Sequence, residues 1–285
     1  MIAVLGASGQ VGSAFARHFG VACLPVTRDM LDLSDIDAIA PWIASNRPDM
    51  VINCAAYTAV DAAESDPTTA RRVNSAAVEA LARACGSNGI GFVTFSTDYV
   101  FDGTKETAYV ETDVPNPLNA YGQSKAEGER LALALYPSSL VIRTSWVLSA
   151  THRSFASTMI DLISDGPVRV VDDQRGHPTL VDDLVISVSE AITAGAAGIL
   201  HITNAGETTW FALAREIADM AGLDAQRVTP CRSEELPRPA QRPRNSLLAS
   251  ERFRELGLAA LPHYRPSLER IVRELAESQR PRISG

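Results

Sequence analysis

The segment GASGQVG at residues 6–12 constrains the fold of this chain more than any other segment. It follows the apolar run IAVL at residues 2–5, and apolar side chains then recur at helix spacing through residues 11–19. Glycines permit a sharp turn and a close approach to the backbone, so this order is typical of a strand, a glycine turn and a helix. The chain is therefore expected to begin with a β-strand that leads directly into an α-helix.

Strand-like runs alternate with helical patterns through the first half of the chain, at residues 2–5, 21–26, 50–56, 90–96 and 139–145. Uninterrupted apolar strands separated by helices predict a Rossmann-like, doubly wound parallel sheet of the α/β class. Further helical patterns at residues 179–194, 209–221 and 266–278 predict a smaller C-terminal α/β substrate-binding region. We therefore expect a dinucleotide-binding domain at 1–146 and a mainly substrate-binding region at 147–285, with some segments of the latter returning to the first domain.

Composition and charge exclude several classes of protein. The net charge of −8 argues against general nucleic-acid binding, which relies on a broad basic surface. The four cysteines stand far apart with no CxxC pair, which indicates neither a structural metal site nor a disulfide framework. The chain starts without the pattern of a targeting segment, and its apolar runs are too short to span a bilayer. We therefore expect a cytoplasmic protein without a membrane or nucleic-acid partner.

The three glycines of the first turn, Gly6, Gly9 and Gly12, have the spacing GxxGxxG. A glycine turn without any ligand would look the same in isolation. Its place between the first strand and the following helix favours dinucleotide binding, because the helix N-terminus stabilises a pyrophosphate through free N–H groups and its dipole. The turn therefore predicts a dinucleotide-binding site at the start of the chain.

The residues after the second strand bear on which dinucleotide is bound. Arg28 lies where an acidic residue would hold the ribose hydroxyls of NAD, and a guanidinium suits the 2′-phosphate of NADP. Arg28 could instead form an ion pair with Asp29 or Asp32. We expect NADPH as cofactor, with NADH also possible, and we expect Asp32 and Leu33 to flank the adenine.

Two further segments predict a reaction at a carbonyl group. Ser96, Thr97 and Asp98 follow a strand and fall at the carboxyl edge of the sheet, where α/β folds bind ligands, although they could also form a plain polar turn. In YGQSK, Tyr121 and Lys125 lie four residues apart on one helix face, as many surface pairs do. The phenol can donate a proton to a carbonyl oxygen that receives hydride, and the ammonium is expected to lower the phenol pKa. The hydroxyl of Thr97 would then polarise the carbonyl.

These motifs resemble the extended branch of the short-chain dehydrogenase/reductase superfamily, and within it the dTDP-4-dehydrorhamnose reductase family. The family resemblance runs nearly from end to end. Its strings are GASGQVG, RPDMVINCAAYTAVDAAE (47–64), VNSAAVEALA (73–82), FSTDYVFDG (95–103), ETDVPNPLNAYGQSKAEGE (111–129), IRTSW (142–146), DQRGHPT (173–179) and RPRNSLL (242–248).

The resemblance implies a role for each matching residue. Tyr121 would donate the proton, Lys125 would bind the cofactor ribose, Thr97 and Asp98 would contact a 4-keto sugar, and Trp146 would pack against the sugar nucleotide. It implies a fourth helper in Asn74. It also implies that the cofactor is lined by Gly9, Gln10, Val11, Asp32, Leu33, Ala56, Tyr57, Thr58 and Phe95. From its residues alone, Trp146 is more typical of a core aromatic at a strand end.

Two departures and one basic loop complete the comparison with the family pattern. Residues 147–149 read VLS where relatives often have VYG, and Ala14 stands where some relatives place a glutamate of a magnesium-bridged dimer contact. We therefore expect no metal-mediated dimer, while Mg²⁺ and a plain homodimer stay open. In RPRPAQRPRNS, arginine forks suit a diphosphate, and Arg242 matches the family motif. The neighbouring Arg238 and Arg244 could equally belong to a proline-stiffened linker.

Several functions remain compatible with these residues. The resemblance implies reduction of the C4 ketone of dTDP-4-dehydrorhamnose to dTDP-L-rhamnose for cell-surface polysaccharide. A related dTDP-4-keto-deoxysugar reductase, for example of the dihydrostreptose type, would have nearly the same sequence features. A dehydratase is disfavoured because Asp98 is followed by Tyr99 and not by glutamate, and an epimerase would retain NAD tightly. A non-catalytic subunit resembling the methionine adenosyltransferase β subunit is disfavoured by the intact Thr97, Tyr121 and Lys125.

Overall fold

Six parallel strands form the central sheet of the computed structural model, which describes residues 1–279. Their order across the sheet is β2-β1-β3-β4-β5-β10, and every neighbouring pair is parallel. Helices cover both faces, so the predicted doubly wound α/β fold is confirmed. The strands are β1 (Ile2–Leu5), β2 (Cys23–Val26), β3 (Met50–Asn53), β4 (Gly91–Thr97), β5 (Leu140–Thr144), β6 (Val147–Leu148), β7 (Val168–Val171), β8 (Arg175–Gly176), β9 (Thr179–Leu180), β10 (Gly198–His201), β11 (Thr208–Thr209), β12 (Val228–Cys231) and β13 (Asn245–Ser246).

Ten α-helices accompany these strands within residues 1–279. Two short irregular segments matter for the site: a π-helical stretch at Arg72–Ala76 and a 3₁₀ turn at Asp98–Val100. None of the helices in this part of the chain is long and apolar enough to cross a membrane. The helices are α1 (Gln10–Phe19), α2 (Ile36–Asn46), α3 (Val60–Ser65), α4 (Pro67–Arg71), α5 (Ala77–Asn88), α6 (Ala120–Leu135), α7 (Phe155–Asp165), α8 (Val181–Thr193), α9 (Trp210–Met220) and α10 (Tyr264–Gln279).

Successive side chains along each central strand point alternately into two separate hydrophobic cores. On β1, Ala3 and Leu5 belong to the core beneath α2, α5 and α6, whereas Val4 belongs to the core beneath α1 and α8. Successive side chains of a strand point to opposite faces, and both faces are apolar here because helices cover both. This explains why the strands are continuous apolar runs in the sequence.

The strand order reverses between β1 and β3, and this reversal fixes the position of the site. The chain leaves β1 through the glycine turn at Gly6 and leaves β3 through the segment beginning at Cys54. In open α/β sheets, ligands bind at the carboxyl ends of the strands beside such a switch point. The glycine turn therefore lies where a dinucleotide is expected to bind.

The C-terminal half builds a second core and also returns to the central sheet. Helices α7, α9 and α10 pack into one apolar cluster, and β7 pairs with β12. Strand β10, however, pairs with β5 in the central sheet, and α8 packs on α1. The division at residue 146 stays a prediction, and residues 280–285 of the proposed second region lie outside the described residues.

Candidate active site

Backbone atoms around the glycine turn lie too close for any side chain on Gly6 or Gly12. The glycines therefore leave the outer side of the turn open to a ligand. Gly6 has a φ of +70°, and a Cβ on this residue would lie 2.8 Å from the backbone nitrogen of Ala55. A Cβ on Gly12 would lie 2.2 Å from the carbonyl oxygen of Gly6. Helix α1 has Gly9 as its N-cap and no side-chain cap, so the N–H groups of Gln10 and Val11 face outward from its first turn. This backbone cradle fits the pyrophosphate of a dinucleotide.

The residues expected around the adenosine lie after β2, and two of them are paired with each other. The Nε of Arg28 donates a hydrogen bond to Asp32 Oδ2 at 3.1 Å, and both side chains are exposed. The backbone N–H of Ser34 is the main cause of the lowered pKa of Asp32. Leu33 is only 5% exposed and packs in the core beneath α2. Of the two roles considered for Arg28, this structure therefore shows the ion pair.

Helix α6 carries Tyr121 and Lys125, and two glycines bring it close to the sheet. Asn119 caps the helix by accepting a hydrogen bond from the Gly122 N–H at 2.8 Å. A Cβ on Gly122 would lie 2.1 Å from the carbonyl oxygen of Tyr99, and one on Gly128 would lie 2.1 Å from that of Asn74. No larger residue fits either contact. The glycines thus set how deeply α6 packs.

Thr97 and Asp98 end β4 and start the 3₁₀ turn beside Tyr121. The Thr97 hydroxyl donates to Asp98 Oδ1 at 2.9 Å, whereas the buried Asp98 Oδ2 has no hydrogen-bond partner. Burial raises the pKa of Asp98 to about 6, opposed by hydrogen bonding to Ser246 and Thr97. The unpartnered oxygen is a polar group that a substrate hydroxyl can satisfy.

The pKa of Tyr121 differs in direction from the prediction made from the sequence. Burial raises the pKa of Tyr121, the charge of Asp98 raises it further, and hydrogen bonding to Thr97 opposes both. The expected lowering by Lys125 is absent because the Lys125 ammonium donates to the carbonyl oxygen of Phe95 instead. Tyr121 is therefore held as a neutral phenol, which is the form that can donate a proton.

Lys125 is itself buried, with 6% of its surface exposed. Burial lowers its pKa to about 8, and the negative charge of Glu129 opposes this effect. The carbonyl of Phe95 fixes the ammonium below the sheet edge, while the Phe95 ring packs against Phe15 at 5.9 Å between centroids. Lys125 therefore lies among the residues expected to line the cofactor.

Asn74 does not point at the reacting groups. Its side-chain amide bonds both backbone groups of Tyr57, with the Tyr57 N–H at 2.9 Å and the Tyr57 oxygen at 3.0 Å, and also donates to Ser124 Oγ at 3.0 Å. It lies in the π-helical stretch and is 2% exposed. Asn74 therefore ties the 56–58 segment, with Ala56, Tyr57 and Thr58, to helix α6.

Two of the four expected substrate contacts, Trp146 and Arg242, are engaged with other residues. Trp146 has a φ of +45° and stacks on Trp210 at 3.6 Å between centroids. Arg242 forms two hydrogen bonds to Asp61, at 2.6 and 2.9 Å, and a third to the Ala240 oxygen. Its substrate contact stays a prediction, whereas the structure shows its pairing with Asp61.

Four residues outside the predicted set complete the surroundings of the site. Tyr99 contacts the Tyr121 ring edge-on at 5.9 Å, and it is among the groups that raise the pKa of Arg242. Ser246 reaches Asp98, Trp210 stacks on Trp146, and Asp61 pairs with Arg242. Tyr99, Ser246 and Asp61 all fall inside the long motif strings, which was the one signal the sequence offered for them. Trp210 lies outside every motif string quoted.

Known proteins match this chain over nearly its whole length. The family model described as RmlD substrate binding domain matches residues 1–277. A dTDP-4-dehydrorhamnose reductase of Burkholderia thailandensis is 40% identical, covering 96% of this chain and 98% of that protein. A probable dTDP-4,6-dihydroxy-2-methyloxan-3-one 4-ketoreductase of Streptomyces antibioticus is 39% identical, covering 98% of this chain and 96% of that protein.

A solved structure agrees with these sequence matches. The dTDP-4-dehydrorhamnose reductase of Bacillus anthracis, solved in complex with NADP, superimposes with a TM-score of 0.92 at 32% identity. The match covers 96% of this chain and 98% of that one. Together with the glycine cradle and the Thr97, Tyr121 and Lys125 arrangement, these matches assign the chain to the dTDP-4-dehydrorhamnose reductase family of the extended short-chain dehydrogenase/reductase superfamily.

Proposed function

We propose that this protein reduces the C4 ketone of dTDP-4-dehydrorhamnose to dTDP-L-rhamnose with NADPH. The observation that carries the proposal is the position of Thr97 and Tyr121 at the carboxyl edge of the sheet: Thr97 caps the 3₁₀ turn that ends β4, and the Tyr121 ring packs edge-on against Tyr99 of that turn at 5.9 Å between centroids. A hydroxyl and a neutral phenol beside each other provide two donors for one carbonyl oxygen. The names of relatives matching more than nine-tenths of the chain support the same activity.

The cofactor is proposed to lie across the switch point of the sheet. The cradle formed by Gly6, Gly9 and Gly12 would hold its pyrophosphate, with Gln10 and Val11 offering backbone N–H groups. Bound NADPH would supply the hydride that attacks C4 of the sugar. Arg28 would turn from Asp32 to the 2′-phosphate, and the NADP complex of the Bacillus anthracis relative supports this choice over NADH.

Three side chains would act on the sugar ketone. Tyr121 would donate its proton to the carbonyl oxygen as hydride arrives at carbon, so that an alcohol forms and a phenolate remains. The raised pKa keeps the Tyr121 phenol protonated at neutral pH. The phenol would then give up its proton only as negative charge develops on the carbonyl oxygen. Thr97 would hydrogen-bond the same oxygen, and Lys125 would hold the nicotinamide ribose and stabilise the phenolate.

The sugar nucleotide would be held by residues from both halves of the chain. Asp98 would accept a hydrogen bond from a sugar hydroxyl through its unpartnered Oδ2. Trp146 would pack against the sugar nucleotide, and its left-handed backbone conformation is the kind of strain that is often found at binding sites. Arg242 would approach the diphosphate only if it leaves Asp61. A homodimer, a cytoplasmic location and a magnesium requirement stay predictions of the sequence.

A second candidate is reduction of a related dTDP-4-keto-deoxysugar. The observation in its favour is the Streptomyces antibioticus ketoreductase, which is 39% identical and thus almost as similar as the Burkholderia thailandensis relative. Both candidates use the same ketone chemistry and the same three side chains. They differ in the substituents and stereochemistry of the sugar ring, so identification of the product separates them.

The test is a reaction of the purified protein with dTDP-4-dehydrorhamnose and NADPH, followed by NMR identification of the product. We expect dTDP-L-rhamnose to form and NADPH to be oxidised faster than NADH. The variant Tyr121→Phe keeps the ring and removes the donor, so kcat/KM should fall by about 10²- to 10⁴-fold while NADPH binding is retained. Unchanged turnover in that variant contradicts the mechanism, and a different sugar product selects the second candidate.

A further inference from the structure

A buried ion pair lies one helical turn behind Lys125. Glu129 on α6 accepts two hydrogen bonds from Arg143 on β5, from Nε at 2.9 Å and from Nη2 at 2.6 Å. Glu129 is 4% exposed and Arg143 is 1% exposed. Two charges removed from water in this way cost several kcal/mol each before their attraction is counted, so such a pair is weak evidence for stability. Its position therefore needs another explanation.

The other groups around Arg143 do not neutralise its charge. Its Nη1 lies 3.3 Å from His201 Nε2, and its guanidinium lies 5.0 Å above the Phe101 ring. Burial and Arg143 lower the pKa of His201 to about 4, so the imidazole is neutral and accepts from Arg143. Glu111 lies beyond the histidine and is held by Ser250 at 2.6 Å. Within residues 1–279, the carboxylate bonded to the guanidinium is therefore that of Glu129.

Glu129 also faces Lys125, because residues four apart share one face of a helix. The other charged or titratable groups on α6 and on the elements packed around it are Tyr121, Glu127, Arg130, Asp98, Tyr99, Asp61, Glu64, Arg71, Arg72, Glu79, Arg83, Cys85 and Arg143. The negative charge of Glu129 acts on the pKa of Lys125, and it acts to raise it. Buried charges are poorly screened, so this effect persists at physiological salt.

We propose that Glu129 is a positioning residue for Lys125: its carboxylate, fixed by Arg143, supplies the negative charge that keeps the Lys125 ammonium charged and in place. The proposal rests on the role given above to Lys125 in holding the cofactor ribose. Arg143 has two opposite effects. It fixes the carboxylate geometrically, and its own positive charge weakens the field that Glu129 exerts on the lysine.

Glu129 and Arg143 are proposed to act in opposite directions on the pKa of Lys125, so their substitutions should shift this pKa in opposite directions. General damage to the structure would not produce opposite shifts. In Glu129→Gln the attraction is removed while the positive charge of Arg143 remains, so the pKa of Lys125 should fall. In Arg143→Met the carboxylate acts on Lys125 alone, so the pKa of Lys125 should rise. General loosening of the core would hydrate Lys125 and raise its pKa in both variants.

The composition of the chain makes this pKa directly measurable. The whole sequence contains two lysines, Lys105 and Lys125. Protein labelled with ¹³C at the lysine Cε should therefore give two NMR signals, each titrating with its own midpoint. Lys105→Arg assigns them, because Lys105 forms its ion pair with Asp113, outside the proposed site. The wild-type midpoint for Lys125 is expected near pH 8.

We expect the Lys125 midpoint to move down by about one pH unit or more in Glu129→Gln and up in Arg143→Met. Glu127→Gln is the matched control, because it makes the same change on an exposed residue of the same helix, and its midpoint should equal that of the wild type. A folded Glu129→Gln protein with an unchanged Lys125 midpoint, or variants that shift in the same direction, would overturn the proposal.

A double variant keeps the test decisive if a single variant fails to fold. Glu129→Gln with Arg143→Met leaves no unpaired buried charge, and such neutral replacements are often tolerated. Its Lys125 midpoint should lie below that of the wild type, and above that of Glu129→Gln where the latter folds. A midpoint equal to the wild-type value overturns the proposal.

Activity is measured separately, so the two proposals can fail independently. In Glu129→Gln, NADPH affinity should fall several-fold at pH 8 and recover toward pH 6, where Lys125 regains its charge. Loss of affinity that is equal at both pH values overturns the positioning role. Failure of the wild-type protein to reduce any dTDP-4-keto sugar contradicts the proposed function and leaves the shifts of the Lys125 midpoint as they are.

Discussion

At the scale of single residues, Asp98 is stabilised in its neutral form and destabilises the fold when it ionises. Its folded-state pKa of about 6 lies above the usual value of about 3.9, so the folded protein binds this proton more tightly than the unfolded chain. The contribution of Asp98 to the free energy of unfolding therefore falls as the pH rises from about 4 to about 6, and it stays at the lower value above pH 6. The cost at neutral pH is on the order of 3 kcal/mol.

The substitution Asp98→Asn should remove this cost and stabilise the ligand-free protein, although catalysis should suffer. We expect a gain of roughly 2–3 kcal/mol at pH 8 and a smaller gain at pH 5, measured by urea unfolding. Asp66→Asn is a suitable control, because Asp66 is an exposed helix cap whose pKa is lowered by Thr69. A pH-independent difference for Asp98→Asn would show that its charge is not the cause.

The sequence identifies candidate site residues more readily than it identifies the partners of those residues. Tyr121, Lys125 and Thr97 could be named because their chemistry is local and their motif spacing is fixed. The pairing of Arg242 with Asp61 joins residues 181 positions apart, and nothing in either segment specifies the other. The predicted direction of the Tyr121 pKa shift was wrong for a related reason. Burial of the phenol and the conformation of the Lys125 side chain are properties of the folded protein.

At the scale of elements, the five strands of the first half were predicted to within three residues at either end because they are continuous apolar runs. The sixth, β10, was not predicted as a strand, since GILH is short and its partner β5 ends more than 50 residues earlier. The π-helical stretch at Arg72–Ala76 also has no sequence signature. Its position against α6 nevertheless sets the depth of the helix that carries Tyr121 and Lys125.

This packing of α6 predicts an unusual response to Gly128→Ala. In most helix interiors this change stabilises a protein by up to about 1 kcal/mol. Here the new Cβ would lie 2.1 Å from the backbone oxygen of Asn74, so we expect a loss of about 1–3 kcal/mol in thermal unfolding and weaker NADPH binding. Gly86→Ala in α5 meets a tyrosine ring at 3.2 Å and should change stability by less than about 1 kcal/mol. Equal effects of the two changes would contradict this account.

At the scale of the whole molecule, the pair of Asp61 and Arg242 joins the two halves of the chain at the site. Asp61 lies on α3, beside the first half of the site, and Arg242 lies in the loop before β13. Hydrogen bonding to Arg242 lowers the pKa of Asp61 to about 2, and Arg242 also reaches Tyr99, which contacts Tyr121. The geometry therefore offers two roles for Arg242, as a tether that holds the loop over the site or as a ligand of the sugar diphosphate.

A double-mutant cycle separates these roles. If Arg242 is a tether, Asp61→Asn and Arg242→Gln should each lower kcat/KM for the dTDP-sugar to a similar extent. The double variant should then be no worse than either, which corresponds to a coupling energy of about 1–2 kcal/mol. If Arg242 binds the diphosphate, Asp61→Asn frees its guanidinium and should lower KM, whereas Arg242→Gln raises it.

We expect the tether, because three of the five N–H donors of Arg242 already bond Asp61 and Ala240. Arg238→Gln serves as the control, since Arg238 reaches Asp61 only at 3.6 Å and is 63% exposed, so its loss should change kcat/KM little. Additive losses in the cycle, or a lower KM in Asp61→Asn, would assign Arg242 to the substrate and make the pair with Asp61 a resting contact that the diphosphate displaces.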